Sequence, residues 1–122
     1  MMEARVKEML HRRKSYEGER NILTVCVRDL QNGETSERSI RINQLNRWIA
    51  IIDGWMMLLT EDEAFVVKRH LIDGIDWPRV TLEYERLWGQ SFAKAERTLR
   101  SYQQNALAKI VQFIADHTDM LN

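Results

Sequence analysis

The stretch Thr60-Glu61-Asp62-Glu63-Ala64-Phe65-Val66-Val67-Lys68-Arg69-His70-Leu71-Ile72-Asp73-Gly74-Ile75-Asp76-Trp77-Pro78 contains two helix starts and one helix stop. Thr60 and Glu63 stand at capping-box spacing. The Thr60 hydroxyl can accept from the Glu63 amide, and the Glu63 carboxylate can reach back to the Thr60 amide. Three acids in the first turn, Glu61, Asp62 and Glu63, complement the positive end of a helix dipole. Ala64, Val67 and Leu71 are the inward residues of this helix, and Asp73-Gly74 stops it, because glycine enters the left-handed region without steric cost. Asp76 can cap the next helix, with Pro78 in the first turn where a missing amide is tolerated. That helix turns Val80, Tyr84, Leu87 and Trp88 inward and ends at Gly89.

Towards the C-terminus, Ser91 is a suitable cap for a last helix running to about Asp116. At 100° per residue, Phe92, Ala95, Leu99, Tyr102, Ala106, Ile110 and Phe113 fall on one face. Lys94, Arg97, Thr98, Ser101 and Gln104 fall on the other, with Arg100 at its flank and no acid in the first three turns. These residue types grip phosphates and read base edges: arginine pairs with guanine, glutamine with adenine, serine and threonine with several groups. A short helix, a glycine turn and a longer helix form the arrangement of a helix-turn-helix. The plain alternative is a face that only keeps the helix hydrated.

Towards the N-terminus, a helix is expected from about Glu37 to Leu58. Its stripe is Ile42, Leu45, Trp48, Ile49, Ile52, Trp55, Met56 and Leu59, with Gly54 as the place for a bend. Gln31-Asn32-Gly33-Glu34-Thr35-Ser36 reads as a turn. Before it, Val6, Leu10, Tyr16, Leu23, Val27 and Leu30 form a helical stripe, with Gly18 as the place for a break. The β-branched run at 22–27 also suits a strand, but no second run offers a pairing partner, so helix is preferred. One proline and five glycines in 122 residues favour long helices. The fold class is therefore all-α, with about five helices and no sheet.

Composition narrows the function. The single cysteine, Cys26, cannot form an internal disulfide and reads as a small buried apolar residue; there is no secretory signal pattern and no membrane-length apolar run. A cytoplasmic setting is expected. His11, His70 and His117 are scattered without metal-ligand spacing, and no phosphate loop or nucleophile motif occurs, so no enzyme, catalytic residue, metal or cofactor is expected. Net charge is zero, which argues against nucleic acid, but it is unevenly spread. Residues 77–112 carry six basic and three acidic groups, net +3, whereas residues 21–76 carry six and nine, net −3. A local basic footprint matters more than the sum.

The run from Leu59 to Val80, the turn Gly89-Gln90-Ser91 and the segment Ala106-Leu107-Ala108-Lys109-Ile110 resemble the fourth region of bacterial sigma factors. They are most similar to the sigma-like phage regulators of the ArpU and RinA type, which add an N-terminal helical segment. The resemblance covers about residues 45–114. It departs in spacing: Gly89 lies about a turn further from Trp77, and Ala106 further from Ser91, which implies two longer helices. Glu85 and Gln90 stand where a small and an apolar residue are usual. The resemblance implies an N-terminal helical segment or hairpin at 1–58 and a sigma-region-four-like helix-turn-helix at 59–116. It also implies a phage or prophage transcriptional regulator binding double-stranded DNA, with RNA polymerase as a further partner. The DNA-binding set is Lys94, Arg97, Thr98, Arg100, Ser101 and Gln104, with Arg79 and Arg86 adding backbone contacts. The competing readings are a phage terminase small subunit and a helical polymerase-binding adaptor that never touches DNA. The wide stripe at 37–59 further suggests a homodimer through the N-terminal half.

Overall fold

The structure, a computed structural model, describes the backbone of residues 2–29 and 35–117 and the side chains of 2–25 and 37–117. Among the described residues there are six α-helices and no strand. They are α1 (Met2–His11), α2 (Arg13–Asp29), α3 (Thr35–Met57), α4 (Glu61–Val66), α5 (Trp77–Trp88) and α6 (Glu96–Asp116). A π-helical turn, Val67–Ile72, continues α4, and a short 3₁₀ turn, Gln90–Phe92, precedes α6. The β-branched run at 22–27 is helical. The expectations for Leu30, for the turn at 31–34 and for the Cys26 and Val27 side chains lie outside the described residues. Thr35 and Ser36, read as part of that turn, belong to α3.

The N-terminal segment breaks at Arg12, not at Gly18. The Arg12 amide is shared between the carbonyls of Glu8 at 3.0 Å and Met9 at 3.2 Å, and α1 gives way to α2 there. Val6 and Leu10 are buried in a cluster with α3 and α6 residues; Tyr16, beyond the break, packs against the same cluster and meets Trp48 at 5.0 Å between ring centroids. Gly18 stays helical and exposed. This extra break makes six helices where about five are expected. α2 and α3 form an antiparallel pair, tied by Arg13 to Asp53 at one end and Arg41 to Glu19 at the other. The buried members of the α3 stripe, Leu45, Ile49, Ile52 and Trp55, are those that the helical spacing picks out.

Two clusters make the core. The first is mainly aliphatic: Val6 and Leu10 of α1, Ile52 and Trp55 of α3, Val67 and Ile72 of the π turn, and Ala106, Leu107 and Ile110 of α6. The second joins Val66, Val80, Tyr84 and Leu99, with Phe65, Ile75, Trp77, Trp88 and Tyr102 packed around them. α6 contributes to both. Three sequence expectations fail here. Leu87 is 65% exposed and Phe92 62% exposed, and Phe113 is only partly covered at 38%, whereas Leu107, outside the expected face, is buried. No helix among the described residues is long and apolar enough to cross a membrane.

Candidate nucleic-acid interface

The first helix of the C-terminal half starts as its sequence directs. The Thr60 hydroxyl accepts from the Glu63 amide at 3.2 Å, and Glu63 accepts from the Thr60 amide at 2.9 Å. Glu63 is buried and also receives a 2.7 Å bond from Lys109 of α6. Burial alone would raise its pKa; the Lys109 and Thr60 bonds outweigh that and hold it below the usual carboxylate range. The helix thus carries at its N-terminus an acid that is both cap and anchor for α6.

Its end is less regular. The Asp73 amide reaches the Lys68 carbonyl at 2.8 Å, one residue beyond α-helical spacing, and Gly74 takes φ +71°. The wider turn brings the nearly buried Asp73 carboxylate to Lys14 at 2.9 Å, Arg69 at 3.0 Å and Lys68 at 3.3 Å. Burial acts to raise the Asp73 pKa, and the three cations lower it further than burial raises it. Arg69 also bonds Glu83 of α5 at 2.7 Å. Asp73 therefore ties α2 to the hinge that aims α5.

α5 begins at Asp76, whose carboxylate accepts from the Arg79 amide at 3.1 Å, with Pro78 in the first turn. His70 lies with Nδ1 3.0 Å from the Ile75 carbonyl and stacks on Trp77 at 4.0 Å, so its ring is satisfied within this turn. Tyr84 donates to Asp62 at 2.8 Å; burial first and then this acid push its pKa up. Gly89 closes α5 at φ +89°, a region that disfavours any side chain, and its amide bonds the Glu85 carbonyl at 2.7 Å.

α6 does not start at Ser91. The chain makes the 3₁₀ turn, extends through Ala93, and enters α6 with Ala95 as the N-cap residue and Glu96 as the first helical one. Ala95 has no side chain to cap with, so the start is set by packing: Leu99 is the first residue of α6 to enter the core, against Val66, Val80 and Tyr84. The spacing excess between Ser91 and Ala106 is therefore loop, not a longer helix. Phe92 and Ala95 leave the expected apolar face, and Lys94 lies on the extended segment ahead of the helix.

Arg97, Arg100, Ser101 and Gln104 are exposed and share one side of α6, opposite Leu99, Ala106 and Ile110. Thr98 is half-buried at the margin. Arg100 is held by Glu96 at 2.9 Å and lies 5.4 Å over the Trp77 ring. The Ser101 hydroxyl donates to the Arg97 carbonyl at 3.2 Å. Arg79 and Arg86 lie on the side of α5 away from Val80 and Tyr84, the two residues that pack with Leu99 of α6. Arg79 is paired with Glu83 at 3.6 Å. Arg86, Lys94 and Arg97 have no ion-pair partner among the described residues. The sequence reading misses Trp77 as a platform for Arg100 and the Glu63–Lys109 tie. Spacing cannot reveal either, because each joins two helices. No group of three or more His, Cys, Asp or Glu among the described residues is placed to hold a metal ion.

Comparison with protein-family models, with curated proteins and with solved structures gives no match.

Proposed function

We propose that this chain is a sequence-specific DNA-binding transcriptional regulator that reads DNA with α6, as its resemblance to sigma-like phage regulators implies. The observation that carries the reading is the exposed side of α6. It offers two guanidinium groups, a hydroxyl and an amide, opposite a buried face, at the end of a capped helix–turn–helix path. Arg97 is the base-reading candidate, since an unpaired guanidinium can make two bonds to a guanine edge. Arg100, fixed by Glu96 and Trp77, and Lys94, on the segment leading into the helix, suit phosphate contacts. Acting at a promoter beside RNA polymerase is the form of regulation that the resemblance suggests.

The test starts from genomic fragments captured by the protein, followed by titration of the preferred site. Arg97→Ala should lose about 1–3 kcal/mol at that site and relax its sequence preference. Lys94→Ala and Arg100→Ala should weaken all sequences alike and each lower the salt slope by about one. Equal affinity of wild type and the Lys94/Arg97/Arg100 triple alanine variant, at low and moderate salt, would overturn the reading in favour of an adaptor that contacts only protein.

A further inference from the structure

α3 is polar over much of its first half and mainly apolar from Trp48 onward, and only part of its circumference is covered. Leu45, Ile49, Ile52 and Trp55 face the interior, so the stripe that the sequence singles out is satisfied within one chain. The uncovered side is a different one. Two apolar grooves run along it. One, of about 390 Å³, lies between the start of α1, the second half of α3 and the end of α6. The other lies along the first half of α3 and shares Met9 and Ile51 with it. Large apolar side chains rim this face: Ile40 is 69% exposed and Met57 87%. In the middle, Ala50 and Gly54 leave the helix backbone nearly bare. Gly54 has a helical φ, and a Cβ built there meets nothing within 4 Å. An interior helical glycine costs about 1 kcal/mol against alanine, and nothing inside this chain requires it.

We propose that this face of α3 binds a second copy of the same chain, with the two α3 helices antiparallel about a two-fold axis passing between Ala50 and Ile51. The axis is fixed by charge and size. Arg47, which lines the second groove and has no ion-pair partner among the described residues, then lies beside Gly54 of the second copy. There it faces the last turn of the other α3, which carries no basic residue of its own. That turn is the negative end of the helix dipole, which favours a cation beside it. The two Arg47 side chains are offset by seven residues, about 10 Å along the helix, and do not oppose each other. The bare strip at Ala50 and Gly54 lets the backbones approach.

Size favours a whole chain over a short segment. The overlap from about residue 43 to 58 is about 24 Å long. With α1 and α6 at its margins it is roughly two helix diameters wide, or about 500 Å² in projection on each copy. Accessible area exceeds projection, so two copies reach the roughly 1,000–1,200 Å² at which stable association begins. A peptide lying on α3 alone would not. The proposal does not rest on the DNA reading, and its test needs no DNA.

The test is light scattering on the full chain at tens of micromolar, with Gly54→Leu as the main variant. Wild type should have twice the chain mass. Gly54→Leu adds bulk where the second helix approaches, at a position open within its own chain, where an added Cβ meets nothing within 4 Å, so it should keep the helical circular dichroism spectrum and weaken the dimer by about ten- to a hundredfold. Arg47→Ala provides a second, milder variant at an exposed position. In a Cys26→Ala background, Ala50→Cys should crosslink readily with a short bismaleimide. Ile40→Cys, about 30 Å from its mate in this register, should not. A monomeric wild type, a dimer unaffected by Gly54→Leu, or crosslinking through Ile40→Cys in place of Ala50→Cys would each overturn the proposal.

Discussion

The two core clusters that α6 joins are built differently. The first is nearly all aliphatic, and Leu10, Ile52, Val67, Ala106 and Ile110 have no exposed surface. The second has four buried residues inside a shell of half-buried rings: Tyr84 stacks on Trp88 at 4.3 Å, and Phe65 meets Trp88 edge-on at 5.1 Å. Full burial of branched side chains gives stability and fixes where α6 lies. Rings with one face packed and one edge wet give orientation, as with Trp77, whose ring contacts both His70 and Arg100. The helix is anchored in one cluster and aimed by the other.

The largest effect should come from the anchoring cluster. Leu107→Ala removes a buried side chain from among three helices and the π turn, and should cost about 2–5 kcal/mol. Urea unfolding followed by both circular dichroism and tryptophan fluorescence measures it. Wild-type transitions should coincide by the two probes, since α6 spans both clusters. If fluorescence reported a separate, earlier transition, the clusters would be independent units and the division into anchor and aim would fail.

Next in size is the tie between the α4 start and α6. Glu63→Ala removes the return half of the capping box and the Lys109 bond together. Lys109 is about half exposed, at 45%, and can be rehydrated, so the loss should be about 1–2 kcal/mol. Glu63→Gln can still accept from the Thr60 amide and should cost less. Equal losses for the two would show that charge, not capping, is what matters.

Acid sharpens the comparison in the hinge. The Asp73 and Glu63 pKa values are lowered in the folded chain, so their stabilisation is fully present above the ordinary carboxylate range. It is lost as pH falls through the depressed folded values. The partners Lys14 and Lys68 are well exposed, so solvent screening limits the share of Asp73 to about 1 kcal/mol. Thermal melts from pH 7 to pH 3 should therefore be flat above about pH 5 and fall below about pH 4, with Asp73→Asn falling less steeply. A steeper fall in Asp73→Asn would remove the hinge from the account.

How much of this was readable from the sequence depends on how local each signal is. The Thr60/Glu63 box, the Asp73-Gly74 stop and the Asp76 cap with Pro78 involve residues within four positions of one another, and all three are present. The α3 stripe follows from period alone. What could not be read depends on distant partners. The break falls at Arg12, after Val6 and Leu10 have packed against α6 residues about 100 positions away in the chain, and not at the weak former Gly18. The widened turn at 67–72 has no composition of its own. Of the candidate site, Arg97, Arg100, Ser101 and Gln104 keep their common exposed side because they lie within α6, whose phase the burial of Leu99 fixes. Lys94 does not, because it precedes the true start.

The smallest predicted effect bears on that start. Ser91 has good capping chemistry, and a helix beginning there would turn Phe92 towards the core. The chain instead spends Gln90–Phe92 on a 3₁₀ turn and caps α6 with Ala95, leaving Phe92 62% exposed. The two arrangements predict different costs for one substitution. If Phe92 were packed, Phe92→Ser would lose about 3–5 kcal/mol, as aromatic truncations in cores do. With Phe92 in solvent it should change stability by less than about 0.5 kcal/mol. Leu99→Ala, seven residues on, should still cost about 2–5 kcal/mol, because Leu99 has no exposed surface. Chemical denaturation of the two variants side by side checks this. A large loss for Phe92→Ser, alongside that for Leu99→Ala, would move the start of α6 back to Ser91 and return Lys94 to the same face as Arg97.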